Sequence, residues 1–536
     1  MRIHRHGDGW IAVSQYADRG RLRAAGWRWD PAARRWWTDR DERAAKLAAY
    51  ASDWEDRKTL EGIAAKVTMA VEASRAADAS IEIPAPPGLA YLSFQRAAIA
   101  YMADRAGVLL ADEPGLGKTV EVLGVLNIRV IRRVLVICPA SLRLNWAAEA
   151  GKWLVVPREI GIETMPDDHG LSMTIGSYEW AVKNAAMLTM ADWDLMVCDE
   201  AHYLKSERSA RTRATLGYWD GEDIAGIRAS ARRLFLLTGT PEPNRPVELW
   251  PLLHALDPAA WRNKLWYGKR YCGATYTGYG WDFTGSNPRT TAELQEKLRS
   301  TVMIRRLKRD VMPELPAKVR QVIELMPSGA AASAVEAEAQ EAAATGAGDL
   351  LTESGWRERI SGVMGNGKAY AFTECATARH RVALASVAHV AGHVAMLRDS
   401  GQKVIVFAHH RDVQDHLADA LGDGVVVYRG GMDDGARDEV VRRFQEDGDV
   451  RVMIAALSNA VGYTATAADV VVFAELDWVP GIMTQAEDRA HRIGATGSLL
   501  IQYVVMAGSI AARMGKVLVE KLQVTEGGLD HVAATV

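Results

Sequence analysis

Short apolar runs alternate with helical patterns along two long stretches of the chain. In residues 84–245 the apolar runs include 107–110, 134–137 and 195–198. In residues 396–510 they include 403–407, 425–427, 452–454 and 470–473. Short apolar strands that alternate with helices are typical of a parallel sheet with helices on both faces. The pattern therefore predicts an α/β protein with two such lobes.

The N-terminal segment, residues 1–52, is a small unit dense in tryptophan. Its stretch GWRWDPAARRWW predicts two short strands around a turn at Asp30 and Pro31, so we expect a small α+β module. A charged helical pattern follows. Residues 53–83 are predicted to be a helical linker that ends where prolines cluster.

Two further segments flank the second lobe. Residues 246–395 have mostly helical and irregular patterns, which predict helical insertions and a linker between the lobes. Within them the Ala/Glu-rich stretch 330–347 is of low complexity and is expected to be a linker or an exposed helix. Residues 511–536 are predicted to form a C-terminal helix and tail.

Composition limits the class of protein more than it identifies one. The chain has 536 residues, of which 49% are hydrophobic and 24% charged, as in a globular protein of several domains. No apolar run approaches the roughly 20 residues that span a bilayer, and the N-terminus lacks the apolar stretch of a signal peptide. We therefore expect a soluble, cytoplasmic protein without a membrane partner. Arginine outnumbers lysine and alanine is abundant, which suggests high-GC coding in a bacterium or its phage.

Charge and cysteine content add two expectations. The net charge of −3 argues mildly against a nucleic-acid binder, although a basic groove can coexist with an acidic remainder. The cysteines lie far apart without a C-x-x-C pair, so neither a zinc site nor a disulfide framework is expected. Cys138 and Cys198 lie in apolar runs and are predicted to be buried, neutral thiols.

The strongest chemical motif is ADEPGLGKT, which directly follows an apolar run. Its glycines allow the backbone to wrap closely around phosphate oxygens. Its lysine can reach the terminal phosphates of ATP, and its threonine hydroxyl can ligate Mg²⁺. The alternative, a chance glycine turn, is disfavoured by the strand before it and the helix after it. The candidates for nucleotide binding are Asp112 (which replaces the usual first glycine), Gly115, Gly117, Lys118 and Thr119.

A pair of acids ends the apolar run 195–198. In D-E-A-H, Asp199 and Glu200 would lie at the carboxyl end of a strand and therefore above the phosphate site. Asp199 is expected to hold Mg²⁺, and Glu200 to orient and deprotonate the attacking water. A solvated acidic loop is the usual explanation for such a tetrapeptide alone, but here a phosphate loop precedes it.

Two other motifs indicate a function only together with the phosphate loop and the acid pair. The hydroxyls of L-T-G-T-P, residues 237–241, could couple the nucleotide site to the rest of its lobe. In QAEDRAHRIG, residues 485–494, Arg489 and Arg492 are three apart and would share one helix face. Arginines supplied from a facing lobe could stabilise the charge that develops in phosphoryl transfer. A solvated arginine face is the alternative.

The order of these motifs resembles that of the Swi/Snf-type DNA translocases of helicase superfamily two, over roughly residues 84–525. Phe94-Gln95 resembles the family's adenine-reading glutamine motif, and residues 138–142 with Trp146 resemble a motif that touches the DNA backbone in the family. Residues 176–178 are similar to its later DNA-contact segment. The resemblance implies two RecA-like lobes with ATP in the cleft between them, and it extends to Thr238, Gly239, Thr240, Pro241, Asn244 and residues 248–250.

The segment between the lobes most resembles the annealing-helicase (HARP-bearing) subgroup, whose motor rewinds branched DNA. The similar stretches are 270–272, 281–282, 285–287, 303–308, 407–410, 475–478 and 480–481. Two departures stand out: Ala495 replaces a usual glutamine, and residues 462–465 only partly match the fifth motif. Trp27, Asp30 and Trp36 of the N-terminal module loosely resemble the HARP module. Its aromatic residues either stack on unpaired bases or form the core of a tiny domain.

These observations predict an enzyme, an ATP hydrolase that moves on double-stranded or branched DNA. The resemblance to the annealing-helicase subgroup implies fork remodelling or strand annealing. A strand-separating RNA or DNA helicase is one alternative, which the helical insertion and residues 305–308 disfavour. A catalytically inactive scaffold that binds DNA is the other. The intact phosphate loop, acids and arginines argue against it.

Overall fold

The computed structural model describes residues 1–166, 170–219, 223–239, 246–261, 263–278, 280–283, 285–315, 318–344, 366–457, 463–477, 480–492, 499–516 and 518–519. The chain forms two compact units. The smaller unit comprises Met1–Ala76 and Glu293–Arg305, and the larger comprises Ala77–Ala292 and Arg306–Val536. The smaller unit is therefore built from two separate parts of the sequence.

The smaller unit contains a four-stranded antiparallel sheet. In spatial order its strands are Arg2–His6, Gly9–Val13, Arg35–Thr38 and Arg28–Asp30. The last two are the predicted strand pair, and Asp30 Oδ1 closes their turn by accepting hydrogen bonds from the backbone N–H groups of Ala32 and Ala33, both at 3.0 Å. The helices of its N-terminal part are Arg19–Ala24, Asp41–Ala45 and Trp54–Arg75.

The helix Trp54–Arg75 differs from the predicted linker over 53–83, because it packs on the module. Asp53 caps its first turn by accepting from two backbone N–H groups. Leu60 is fully buried in the core of the module, and Ile63 packs against that core. The α+β module predicted for the N-terminus thus continues beyond residue 52.

Tryptophan supplies much of the core of this unit. Trp10, Trp27 and Trp36 are each at most 4% exposed, and Trp10 Nε1 donates to Asp41 Oδ1 at 2.7 Å. Trp29, in contrast, is 49% exposed. Of the two explanations considered for these aromatic residues, the core explanation holds for three of them, and Trp29 is accessible to a partner.

The second part of the smaller unit, residues 293–305, contains most of the helix Thr291–Thr301 and the short strand Met303–Ile304. Lys46 Nζ lies 2.7 Å from Glu296 Oε2 in an ion pair. At the other end, Arg299 Nη1 donates to Ser74 Oγ at 3.4 Å. These contacts join residues 293–305 to Lys46, which follows the helix Asp41–Ala45, and to Ser74, near the end of the helix Trp54–Arg75.

The larger unit contains the two predicted α/β lobes. Six strands of the first sheet pair in parallel. In spatial order they are Gly107–Leu110, Ala231–Leu237, Trp193–Cys198, Arg133–Cys138, Ser172–Ser177 and Glu159–Ile162. Because the strands are parallel, their carboxyl ends meet at one edge of the sheet, and the segments that begin there include 111–119, 199–202 and 238–239.

Helices connect these strands, as parallel pairing requires. The helices of the first lobe are Ser93–Ala103, Lys118–Ile128, Arg143–Trp153, Tyr178–Lys183, Ala185–Thr189 and Ala210–Leu216, and a small hairpin pairs Tyr218–Trp219 with Asp223–Ile224. After the first sheet come the helices Trp250–Leu256 and Lys264–Tyr271, the hairpin of Thr275–Tyr276 with Trp281–Asp282, and the short helix Lys308–Val311.

The second sheet is also parallel throughout. In spatial order its strands are Lys318–Leu325, Leu499–Met506, Val470–Phe473, Val404–Ala408, Val452–Ala456 and Val425–Tyr428. The helices of this lobe are Ala330–Ala344, Asn366–Ala385, Val387–Asp399, Arg411–Leu421, Asp434–Glu446 and Pro480–Glu487. Together the two sheets confirm the α/β fold with two parallel-sheet lobes.

Two parts of the predicted segment 246–395 differ in the structure. The strand Lys318–Leu325 belongs to the second sheet, where it forms an edge. The helix Ala330–Ala344, expected to be a linker or exposed, packs on the second lobe. Ala342 lies in the hydrophobic core of that lobe, and Glu338 Oε2 accepts a hydrogen bond from the backbone N–H of Ile510 at 2.7 Å. Residues 345–347 of the low-complexity stretch and residues 520–536 of the C-terminal segment lie outside the described residues.

The thiols of Cys138 and Cys198 are fully buried, as predicted, and burial raises the pKa of both. Among the described residues, no helix has both the length and the apolar character needed to cross a membrane.

Candidate nucleotide site

The phosphate loop, residues 111–119, leaves the first sheet after the strand Gly107–Leu110 and leads into the helix Lys118–Ile128. Gly115 and Gly117 have φ of +89° and +90°, a conformation that L side chains rarely adopt. Lys118 Nζ donates to the carbonyl oxygen of Asp112 at 2.9 Å, so the lysine closes the loop on itself. The loop thus presents backbone N–H groups and a cation at the positive end of a helix, where phosphate binds well.

Gln95 packs directly on this loop. Its amide nitrogen donates to the carbonyl oxygen of Leu116 at 3.1 Å, and its amide oxygen accepts from the backbone N–H of Leu92 at 3.0 Å. A Cβ on Gly117 would lie only 2.6 Å from the Gln95 nitrogen. Glycine at this position is therefore needed for the glutamine to approach the loop.

The two acids stand at the end of the strand Trp193–Cys198, in the middle of the first sheet. Asp199 Oδ2 accepts a hydrogen bond from Trp146 Nε1 at 2.9 Å, and Asp199 Oδ1 accepts from the backbone N–H of Glu200 at 2.8 Å. Tyr178 Oη donates to the Asp199 carbonyl oxygen at 2.7 Å. Glu200 has φ of +50°, in the left-handed region, and its Oε2 lies 3.2 Å from His202 Nδ1.

The environment pushes the pKa values of these two acids apart. Burial, and then the charge of Glu200, raises the pKa of Asp199. Burial opposes ionisation of Glu200 as well, but the contact with His202 and the charge of Lys118 outweigh it and lower the pKa of Glu200. At neutral pH the Glu200 carboxylate is therefore ionised.

The motif at 237–241 meets the phosphate loop from the next strand. Thr238 is buried, and its backbone N–H donates to the Leu110 carbonyl oxygen at 3.0 Å. A Cβ on Gly239 would lie 2.5 Å from Pro114 Cγ. Several residues of the family motifs lie outside the described residues: Thr240, Pro241, Asn244, Gly462, Trp478, Ile493, Gly494 and Ala495.

The second lobe brings its arginines to the same place. A Cβ on Gly115 would lie 3.0 Å from Arg492 Cγ, so the side chain of Arg492 passes over the phosphate loop. Arg489 Nη1 and Arg492 Nη1 both donate to the carbonyl oxygen of Tyr463, at 3.3 and 3.5 Å, and Arg492 Nη1 also donates to Thr464 Oγ1 at 2.8 Å. Burial, and then Arg489, lowers the pKa of Arg492 to about 9.

The site residues predicted from the sequence are thus brought together from both lobes, and they suit a nucleoside triphosphate with its metal. The glycine cradle leaves no room for side chains, and within the described residues Arg492 Nε is buried without a hydrogen-bond partner. Carboxylate and hydroxyl oxygens are the ligands that Mg²⁺ prefers. Asp199 and Thr119 offer them beside Lys118.

Asp112 has a role that the motif alone did not indicate. Its carboxylate is fully buried against Arg306, whose Nη2 donates to Asp112 Oδ2 and whose backbone N–H donates to Asp112 Oδ1 at 2.8 Å. The same Nη2 donates to Glu121 Oε1 at 3.0 Å, and Nη1 donates to the carbonyl oxygen of Phe94. Arg306 thereby joins the phosphate loop, the helix behind it and the glutamine motif.

The arginine motif rests on a second buried network. Asp488 Oδ1 accepts from Lys308 Nζ and from Lys318 Nζ, both at 2.7 Å. Glu487, which is fully buried, accepts from Arg320 Nη2 at 2.6 Å and from Tyr503 Oη at 2.6 Å. The acids that precede Arg489 are therefore held by cations from the segment 308–320. Sequence reasoning missed this segment, although the resemblance had singled out residues 303–308.

The segments that resemble the family's DNA-contact motifs support Asp199 in this structure. Trp146 and Tyr178 are buried and support Asp199. Arg143 lies between the lobes, with Nη1 2.8 Å from Glu163 Oε2 and Nη2 3.7 Å from Asp434 Oδ2. These contacts put a charged bridge beside the cleft that separates the two lobes.

Comparisons with known proteins give a consistent result. Residues 33–353 match the family model described as SNF2-related domain, and residues 387–494 match the model described as helicase conserved C-terminal domain. The chain is 32% identical over 452 residues to "SWI/SNF-related matrix-associated actin-dependent regulator of chromatin subfamily A-like protein 1" of Xenopus tropicalis, covering 82% of this chain and 45% of that protein.

A second relative is "DNA annealing helicase and endonuclease ZRANB3" of Homo sapiens, 34% identical over 461 residues, with 82% of this chain and 40% of that protein covered. The chain therefore spans less than half the length of these relatives. Among solved structures, "Sulfolobus solfataricus SWI2/SNF2 ATPase core in complex with dsDNA" aligns with 82% of this chain and 94% of that chain, at 18% identity and a TM-score of 0.38.

Proposed function

Because the chain belongs to the SNF2-related family of helicase-like ATPases, we propose that it couples ATP hydrolysis to movement along duplex or branched DNA. The observation that carries the proposal is the meeting of Arg492 from the second lobe with Gly115 of the phosphate loop. A site made from two lobes changes when the lobes open or close. Such a site can convert hydrolysis into relative movement of the lobes.

In the proposed reaction the first lobe holds the nucleotide. Lys118 and the loop N–H groups bind the phosphates, Gln95 lies where a base edge could be read, and Thr119 with Asp199 would hold Mg²⁺. The metal, when bound, supplies charge neutralisation at the phosphate oxygens. Glu200, which its lowered pKa keeps ionised at neutral pH, would orient the attacking water and accept its proton.

The second lobe supplies the arginines. Arg489 and Arg492 would stabilise the charge that develops on the transferred phosphoryl group. In this structure the two guanidinium groups share the carbonyl oxygen of Tyr463, and Arg492 also bonds to Thr464. The loop at 463–464 would therefore hold the arginines until a nucleotide competes for them.

The proposed track is duplex DNA, and branched DNA in particular. The human relative is named as a DNA annealing helicase, which supports a motor that rewinds or remodels forks rather than one that separates strands. Tracking of this kind depends mainly on phosphate contacts, so little sequence preference is expected. The half-exposed Trp29 of the N-terminal module could stack on an unpaired base at a junction.

The test is release of phosphate from ATP in the presence of single-stranded, duplex, forked and RNA ligands, with Glu200→Gln as the control for contaminating activity. We expect duplex or forked DNA to stimulate turnover most, and the Glu200→Gln variant to bind ATP but not to turn it over. Stimulation by RNA alone, with displacement of a paired strand, would favour the strand-separating helicase. No hydrolysis with any ligand, together with intact DNA binding, would favour the inactive scaffold.

A further inference from the structure

Residues 306–308, which we call the strap, run between the two halves of the site and have no part in the chemistry proposed above. They leave the smaller unit at Arg305 and lead towards the second sheet, whose first strand begins at Lys318. Arg306 and Lys308 are both almost fully buried. Charged side chains are rarely buried unless they are paired, so each must be accounted for by its partners.

The first residue of the strap, Arg306, binds the phosphate loop. Arg306 binds the Asp112 carboxylate through its backbone N–H and its guanidinium group. The backbone N–H of Glu113 donates to the carbonyl oxygen of Arg306 at 3.2 Å, and in return the carboxylate of Glu113 accepts from the backbone N–H of Lys308. These contacts hold the strap against the first half of the loop.

The last residue of the strap, Lys308, binds the arginine motif at residues 485–494. The Lys308 ammonium donates to Asp488 Oδ1 and to the carbonyl oxygen of His491, both at 2.7 Å. Its methylene stem lies beside the phosphate loop, since a Cβ on Gly115 would lie 3.4 Å from Lys308 Cε. One side chain therefore touches the loop that binds phosphate and the residues that flank Arg489 and Arg492.

We propose that Lys308 is a positioning residue, which fixes the distance between the phosphate loop and the arginines of the second lobe and so couples nucleotide binding to the second lobe. This inference rests on the proposed ATPase function. Asp488 directly precedes Arg489, and His491 directly precedes Arg492. A shift of these two residues would therefore move both guanidinium groups. A misplacement of about 1 Å in a reacting constellation can cost roughly a hundredfold in rate.

The matched pair of variants for the test is Lys308→Met and Lys318→Met. Each removes one of the two ammonium groups on Asp488, and methionine keeps the length of the stem. Of these two lysines, Lys308 also lies beside Gly115 of the phosphate loop. For Lys308→Met we expect kcat of DNA-stimulated hydrolysis to fall about a hundredfold while KM for ATP changes less than twofold. For Lys318→Met we expect a loss at least ten times smaller, and Lys308→Arg should recover part of the lost rate.

Hydrogen–deuterium exchange provides a measurement that does not depend on turnover. In the full chain, magnesium ADP should protect residues 480–492 as well as the phosphate loop. Lys308→Met should keep protection at the loop and lose it at 480–492, whereas Lys318→Met should keep both. Equal losses of kcat in the two methionine variants, or unchanged protection at 480–492 in Lys308→Met, would overturn the proposal. A wild-type chain without turnover on any DNA would contradict the ATPase function, and the exchange result would then still decide whether the strap couples the lobes.

Discussion

Removal of the Arg306 guanidinium should destabilise the first lobe more than any other single charge deletion proposed for this chain. Arg306 is 2% exposed, and its two carboxylate partners, Asp112 and Glu121, are fully buried. In Arg306→Met the apolar stem remains, but both carboxylates lose their cation. The Phe94 carbonyl oxygen also loses the donor that Arg306 Nη1 provides.

The expected magnitude follows from this burial. Breaking a buried ion pair by removing one partner costs about 3–5 kcal/mol, because an uncompensated charge is left behind. For a domain of 150–250 residues that loss corresponds to a fall in Tm of very roughly 6–20 °C. Arg309→Met is the matched control, since Arg309 is nearly half exposed and its pair with Asp310, at 3.6 Å, is a surface pair. Such a pair contributes about 0–1 kcal/mol.

The pH dependence of the deficit provides a second signature. Burial, and then Asp112, already holds the pKa of Glu121 well above its usual range, while Arg306 opposes that rise. Without Arg306 the pKa of Glu121 rises further. A carboxyl group whose folded pKa exceeds its unfolded pKa favours the folded state at low pH, and this contribution is lost as pH rises through the folded pKa. The stability deficit of Arg306→Met should therefore be smaller at pH 5 than at pH 8.

Scanning fluorimetry of wild type, Arg306→Met and Arg309→Met at the two pH values measures both effects. The double variant Arg306→Met with Glu121→Gln should recover part of the loss, because it removes one of the uncompensated charges. A Tm for Arg306→Met within 2–4 °C of wild type, which corresponds to about 1 kcal/mol, would refute the assignment of a strong buried pair. So would a deficit that grows as pH falls.

Three further results are expected. Arg492→Ala should lower the hydrolysis rate by roughly 10³–10⁵, as loss of an arginine finger does in related phosphoryl transfer, and a variant that keeps DNA-stimulated phosphate release would remove Arg492 from the reaction. Trp146→Phe deletes the N–H that donates to Asp199, so the Mg²⁺ concentration for half-maximal activity should rise about 10–100-fold, and an unchanged Mg²⁺ titration would contradict this. In the N-terminal module Trp36→Ala should lower the unfolding free energy by about 3–5 kcal/mol, and Trp29→Ala by less than about 1.5 kcal/mol; similar melting of the two variants would place both rings in the core.

The parts of the fold that the sequence predicted are those determined by interactions between residues close together in the sequence. The run 134–137 is continuous and apolar because that strand is buried on both faces of a parallel sheet. The turn at Asp30 could be predicted because its carboxylate bonds to backbone two and three residues further on. Gly115 and Gly117 indicated the phosphate loop because glycine adopts the positive φ that the loop requires more easily than any other residue.

The parts that it did not predict depend on contacts between distant residues. Arg306 and Asp112 are 194 positions apart, and Lys308 and Asp488 are 180 apart, so no periodicity links them. The strand Lys318–Leu325 carries charge where a buried strand should be apolar. Its charged residues are accommodated because it is an edge strand and because Lys318 faces buried acids. Trp146 was interpreted through a family motif for DNA contact, and only the fold showed its hydrogen bond to Asp199.

The division of the smaller unit between two parts of the sequence has a consequence for how the chain folds during synthesis. Residues 1–76 leave the ribosome long before residues 293–305, which complete the unit. At about 5–20 residues per second this delay is roughly 10–45 s. During that time Ser74 and Lys46 lack Arg299 and Glu296, the partners that they have in the finished unit. The module must therefore persist as an incomplete intermediate while the whole first lobe is made, whereas in refolding of the full chain both parts are present from the start.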